Sequence, residues 1–417
     1  MTLQNFQTLK LKFCKSLRKL PERIGELSNL RHLEVLGATG LCCFPQSIGR
    51  LSHLQTLNKF IVNAANGRCI IEELGNLSYL KGNLEITGLR KVENMNEAKR
   101  AELQRKKNLH FLELDFGFFD DATKDDIQRM DGAIQALQPH TELEQLVIKG
   151  YPGSMFPCRM SREIGESGES TQQQEMSLES LSLRGLHAVK HLSAELLGNR
   201  ESRSTSSMVI FPKLTKLEIE IMPEWEEQHF DILVPMKSNT ISGSGGTASR
   251  IIMPSLEALE ISNCPKLKVV PHYMFSRSLK KLVIRECPGL IGMQHCLPQS
   301  FEHLELLRDL GALSKSLTPV TLNHNNGYPN LKYLQIGYSP CSSLPQGLNQ
   351  LTSLQDLVVS NCMFLDFNPE CLRILPMLSK LETICCQLLR ERSREDWNII
   401  SHIPNITIDF KKLTQTN

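Results

Sequence analysis

Apolar residues along this chain keep neither an even alternation nor a helical period over long stretches; they recur as a short fixed phrase. In LEALEISNCPKLKVVP, Leu256 to Pro271, aliphatics hold the first, fourth and sixth places and a cysteine follows three places later. LKKLVIRECPGL, Leu279 to Leu290, says the same again. The three places are also apolar at Phe6, Leu9, Leu11; Leu30, Leu33, Val35; Leu109, Leu112, Leu114; Leu143, Leu146, Ile148; and Leu178, Leu181, Leu183. They return at Leu214, Leu217, Ile219; Phe301, Leu304, Leu306; Leu331, Leu334, Ile336; and Leu354, Leu357, Val359, with weaker copies at Leu54–Leu57, Leu84–Ile86 and Leu378–Leu381. The last two aliphatics of each phrase are two residues apart, so on an extended strand they point to one side. Each phrase predicts one short strand with one buried face.

About fourteen such units follow one another at spacings of roughly 22 to 42 residues, which marks the leucine-rich-repeat class despite the long middle units. One strand cannot bury its apolar face alone, whereas stacked copies share a continuous core. The expected fold is therefore an α/β repeat solenoid: a leucine-rich-repeat horseshoe with a parallel β-sheet on the concave face and irregular, 3-10 or short helical segments on the convex face. The returns in the shortest units, Leu17 to Asn29 and Ser342 to Ser353, are too brief for a long helix, while Asn96 to Asn108 offers a helical stretch. Cys14, Cys264, Cys287 and Cys362 all stand three places after the last strand aliphatic. Four cysteines at one repeat position read as turn fillers, not as a reactive or metal-binding set.

Three segments interrupt the pattern, at 161–177, 198–208 and 237–250, and are poor in aliphatics and rich in Ser, Gly and charge. They read as mobile insertions in a single repeat domain over 1–417, since the phrase resumes on both sides of each; the last also reads as a domain linker. A terminal capping segment is expected over 390–410, where Trp397 and the Asn405–Ile408 strand would close the stack. The 47 Lys and Arg residues nearly balance the 45 Asp and Glu and are interspersed, which gives no electrostatic case for a nucleic-acid partner. No stretch is apolar enough for a membrane span, no signal peptide is recognisable, and thirteen cysteines without a CxxC motif favour reduced thiols.

The units carry more than the generic phrase. LRKLPERIGELSNLRHL, Leu17 to Leu33, and FPQSIGRLSHLQTLNKFIV, Phe44 to Val62, resemble the repeats of plant intracellular disease-resistance proteins of the coiled-coil, nucleotide-binding, leucine-rich-repeat type. Ile71 to Phe116, Ile134 to Pro157, Phe211 to Glu227 and Glu395 to Asp409 resemble later blocks of the same proteins, in the same order. The resemblance implies a cytoplasmic or nucleocytoplasmic protein, or one peripheral to the plasma membrane. It implies a repeat region that senses a pathogen effector or a guarded host protein in the defense response and restrains an intramolecular nucleotide-binding domain. The phosphate-loop motif of that domain is missing here, so ADP or ATP would belong to a part of the natural protein outside this chain, and no cofactor is expected within it. The chain then reads as a piece of a longer receptor; the alternative is a stand-alone scaffold or decoy that binds a host protein.

No catalytic constellation assembles from the motifs present, and the expected class is a non-enzymatic recognition domain. Asp115-Phe116-Gly117 lacks the companion kinase motifs and is expected to end a strand. His187 and His191 lack a third ligand for zinc, and Asp120, Asp121, Asp125 and Asp126 lack the spacing of a calcium loop and read as a solvated loop. What remains is the outward face of the strands. Residues between the two strand aliphatics and just after them make the candidate partner-binding set: Glu113, Asp115, Lys149, Arg184, Glu218, Glu220, Glu260, Ser262, Arg285, Glu305 and Gln335. Their mixed signs suit a protein partner better than a phosphate backbone.

Overall fold

The computed structural model describes residues 6–63, 69–117, 122–154, 176–192, 211–226, 253–271, 274–290, 298, 300–309, 328–392 and 397–412. The insertions expected within 161–177, 198–208 and 237–250 lie outside these residues, apart from Met176 and Ser177. The described residues divide into two compact units, one ending at Leu214 and one beginning at Thr215.

The first unit carries β1 (Thr8–Lys10), β2 (His32–Glu34), β3 (Thr56–Leu57), β4 (Lys59–Ile61), β5 (Gly82–Thr87), β6 (Leu109–Asp115), β7 (Gln145–Lys149) and β8 (Ser180–Arg184). β1 to β3 pair in parallel as one sheet, and β4 to β8 as another. The second unit carries β9 (Lys216–Glu220), β10 (Ala258–Ser262), β11 (Lys281–Arg285), β12 (His303–Leu307), β13 (Tyr333–Gly337), β14 (Asp356–Ser360), β15 (Lys380–Ile384), β16 (Asn405–Ile408) and β17 (Lys411–Lys412). Each strand from β9 to β16 pairs in parallel with the next, and β17 folds back antiparallel on β16.

The register follows the repeated phrase residue for residue. Leu217, Leu259, Leu282, Leu304, Leu334, Leu357 and Leu381 stand opposite one another rung by rung, and all are essentially solvent-free. A one-residue slip would turn this whole column outward, so the buried face fixes the pairing. The first rung departs from this rule: Leu9 and Leu11 are half-covered, and Phe6 and Phe13 are exposed.

Most strands end in a left-handed residue two places after their last inward position. Ile221, Asn263, Glu286, Arg308, Tyr338, Asn361 and Cys385 hold it with φ between 51° and 57°, and Gly37, Gly88, Gly150 and Gly185 hold it in the first unit. After β6 it falls one place later, on Gly117, so Asp115 does end a strand; Phe116 is buried edge-on against Tyr151. The turn reverses the chain into the back of the unit. There the short returns are 3-10 helices, at Glu22–Glu26, Gln46–Arg50, Leu348–Gln350 and Pro369–Ile374.

Two expectations need correction. The Asn96–Asn108 stretch is not one helix: α1 (Met95–Lys99) stops before Glu102, whose φ is +50°, and a 3-10 turn takes over at Leu103–Arg105. Of the acidic run read as a solvated loop, Asp120 and Asp121 lie outside the described residues, and for Asp125 and Asp126 the reading fails, because both lie in the first turn of α2 (Lys124–Ala136). Asp126 closes a capping box with Thr123, each side chain accepting from the other's backbone N–H at 3.2 Å. The missed signal is Thr123-x-x-Asp126, the capping pattern itself.

The cysteine slot behaves as a turn filler. Cys264, Cys287 and Cys362 are fully buried, with thiols donating to the carbonyls of Ser262, Arg285 and Ser360 at 3.3, 3.3 and 3.4 Å. Cys386 adds a fifth member, and Cys14, on the half-covered first rung, is the exposed one.

Candidate functional site

Outward positions on these strands fall into three rows that run across the rungs. Glu113, Glu218, Glu260, Glu305 and Gln335 lie in the middle row, and Asp115, Lys149, Arg184, Glu220, Ser262 and Arg285 in the row after it. All eleven are half-buried. A further row, one place before the first strand aliphatic, escaped the sequence reading: Gln145, Lys216, Lys281, His303, Tyr333, Asp356 and Lys380. Extending the strand alternation one residue backward would have found it.

On the first unit, Lys59 pairs with Glu85 at 2.7 Å and Lys149 with Glu113 at 2.6 Å. Asp115 accepts the Gly117 N–H at 2.7 Å, which locks the turn after β6. One carboxylate oxygen from each of Glu85, Glu113 and Asp115 falls within 4.8 Å of the others. Lys59 and Lys149 already offset two of its three charges and the Gly117 N–H binds the third carboxylate, so the trio has less need of a cation. Arg184 lies over Ser182, its Nε donating to the hydroxyl at 3.0 Å, and Ser182 is covered. His187 and His191 sit half-buried in the turn after β8.

On the second unit the rows are knitted together. Lys216 pairs with Glu218 at 2.5 Å, Lys281 with Glu260 at 3.2 Å and Lys380 with Glu382 at 2.8 Å. Arg285 reaches Glu305 at 2.8 Å and Glu260 at 3.9 Å. It thereby roofs Val283, which lies between those two glutamates in register and keeps only 1% of its surface. Val283 and Ser182 therefore point out of the core yet offer little contact area, since Arg285 and Arg184 fold over them.

His303 bonds Glu305 at 2.8 Å and stacks on Tyr333 with 4.2 Å between ring centroids and 3° between planes. The His303 bond, with Arg285 beside it, outweighs burial and holds the Glu305 carboxyl down at about 2, so it is an anion at any physiological pH. The Tyr333 hydroxyl donates to Gln335 Oε1 at 2.9 Å. Burial, with the charges of Glu305, Asp356 and Glu382, pushes this phenol up to about 12. Five side chains on three rungs thus form a pre-ordered polar and aromatic surface, which loses little side-chain entropy when a partner docks.

Residues 71–227 match the family described as R13L1/DRL21 LRRs. Disease resistance protein RGA2 of Solanum bulbocastanum is 31% identical over 353 residues, 84% of this chain and 32% of that protein. A disease resistance RPP13-like protein 1 of Arabidopsis thaliana is 28% identical over 365 residues, 80% of this chain and 32% of that protein. The chain spans about a third of the length of these curated relatives. A solved leucine-rich-repeat protein of Leptospira interrogans is 20% identical, covering 90% of this chain and 84% of its own, with a TM-score of 0.40. Among the described residues no helix is long and apolar enough to cross a membrane.

Proposed function

We propose that this leucine-rich-repeat chain, similar over most of its length to plant disease resistance proteins, is the recognition and regulatory region of an intracellular immune receptor. In this reading the outward strand face binds a pathogen effector or a host protein altered by one. The same region restrains a nucleotide-binding switch domain carried elsewhere in the natural protein, and that domain holds the ADP or ATP. The observation that carries the proposal is the match to RGA2 over 84% of the chain, with the chain covering 32% of that protein. The strand face adds support. Its charges are half-buried, pre-paired and different from rung to rung, which lets one scaffold hold a specific pattern without disturbing its core.

A pull-down of a candidate effector panel by the intact chain and by a Glu218→Lys, Glu260→Lys, Arg285→Glu variant tests the surface. Weakened capture with an unchanged circular-dichroism spectrum is expected. Undiminished capture by the variant would move recognition off this face.

A further inference from the structure

On the second unit every lysine, histidine and aspartate of the first outward row but one is matched within the sheet. Lys216 meets Glu218, Lys281 meets Glu260, His303 meets Glu305 and Lys380 meets Glu382. Asp356 breaks the sequence: the residue two places on is Val358, and among the described residues no ion pair or hydrogen bond reaches its carboxylate. Val358 is 6% exposed, so it gives an apolar floor with no polar atom to offer. On the preceding rung stands Tyr333, in register with Asp356. One face of its ring is covered by His303, and the register places Asp356 toward the other. An anion without a direct ion pair, a flat ring held upright and an aliphatic floor therefore meet at one spot; Lys380, in register with Asp356, feels its charge but gives its ammonium to Glu382.

We propose that this spot, formed by Asp356, Tyr333 and Val358, receives an arginine side chain of a protein partner. The planar guanidinium lies against the Tyr333 ring on the side away from His303 and donates to the Asp356 carboxylate, while its methylene stem passes over Val358. Guanidinium suits this geometry better than ammonium because it stacks on aromatic faces and forks onto carboxylates. The charge sign agrees with the surroundings: Asp356, Glu305 and Glu382 all bear on the Tyr333 hydroxyl, and Lys380, opposite Asp356, is bound to Glu382 at 2.8 Å. His303 and Gln335 hold the ring upright from two sides, so the wall exists before the ligand arrives. The inference rests on the reading of the strand face as a recognition surface, and names the partner chemistry it takes at one point.

The test uses the intact chain labelled with carbon-13 in its tyrosine rings, six in all, with the Tyr333 signal identified by its loss in Tyr333→Phe. Titration with N-acetyl-arginine N-methylamide should move the Tyr333 signal saturably, while the citrulline analogue, equal in shape and uncharged, should not. Asp356→Asn should weaken the arginine compound about tenfold, the scale of one charge-assisted hydrogen bond, and leave the Tyr79 and Tyr151 signals in place. A Tyr333 signal that stays still, follows citrulline equally, or moves as readily in Asp356→Asn would overturn the proposal. Because the probe is a single amino-acid derivative, the arginine site can fail here while effector capture still depends on Glu218, Glu260 and Arg285. It can also stand if that capture fails.

Discussion

Lys106 is buried to within 2% of its surface and donates its ammonium to the Leu74 carbonyl at 2.6 Å and the Leu77 carbonyl at 3.0 Å, both in the preceding repeat. Both carbonyls already accept one backbone N–H, from Leu77 and Leu80, so the lysine supplies a second bond to each. Burial drags its pKa down from 10.5 to about 8. From about 8 to 10.5 the unfolded chain still holds the proton that the folded chain has released, so the stability contributed at this site rises with pH across that window. Lys106→Met, which keeps the volume and loses the charge, should change stability at pH 7 by about 1 kcal/mol or less. In urea unfolding from pH 7 to 10.5, wild type should gain on the variant above about 8. Parallel curves would show that Lys106 is solvated.

His140 repeats the arrangement one repeat later, with the opposite consequence at neutral pH. Its Nε2 donates to the Leu109 carbonyl at 2.9 Å and its Nδ1 accepts the Glu142 N–H at 3.2 Å, which fixes the neutral tautomer. Burial, opposed in part by the Leu109 carbonyl, lowers its pKa below the ordinary 6.5. A histidine with a depressed folded pKa contributes its stability above 6.5 and loses it as pH falls through the folded value. The urea midpoint of wild type should drop from pH 7 to pH 5, and His140→Leu should remove part of that drop. An equal drop in both proteins would assign the acid sensitivity elsewhere.

These two residues show what the sequence could and could not give. Each stands three places before the first aliphatic of its phrase, where the carbonyl accepts from that aliphatic's N–H. Other repeats put Leu27, Leu51, Leu351 or Leu375 there, and Ser276 is a third polar occupant, its hydroxyl donating to the Leu256 carbonyl. The strands were legible because two-residue spacing and burial coincide in Leu259 and Ile261, as they do in the next four rungs, β11 to β14. Lys106 was not, since Lys106 and Lys107 look alike until the slot is counted, and a long stem lets either lysine bury or reach water. The outward face was half legible. Alternation gave Glu260 and Glu305 their direction, but the roof of Arg285 over Val283 and the His303–Tyr333 stack depend on neighbours twenty or more residues away in sequence.

Left-handed glycines at a strand start and at a strand end separate two penalties. Gly82 and Gly150 both have positive φ, +80° and +63°, but a Cβ on Gly82 meets nothing within 4 Å, whereas one on Gly150 would lie 1.9 Å from the Gly117 carbonyl. Gly82→Ala should therefore cost about 1–2 kcal/mol, the left-handed penalty alone. Gly150→Ala should cost clearly more, because the Gly117 backbone must move. Equal losses in thermal or urea unfolding would mean that the two positions are equally open.

The cysteine slot gives a last prediction, because one sequence position is presented in two environments. Cys14 and Cys264 each stand three places after a strand aliphatic, yet Cys14 is exposed and Cys264 has no accessible surface. The Cys287 thiol beside it and burial both push the Cys264 thiol above its ordinary range, and little of the reactive thiolate forms. Brief iodoacetamide treatment of the native chain, read residue by residue in a mass spectrometer, should modify Cys14 and the exposed Cys385. It should spare Cys264, Cys287 and Cys362 until denaturant is added. Modification of Cys264 as fast as Cys14 would show that the turn after β10 opens on its own, and that the filler role assigned to this cysteine is wrong.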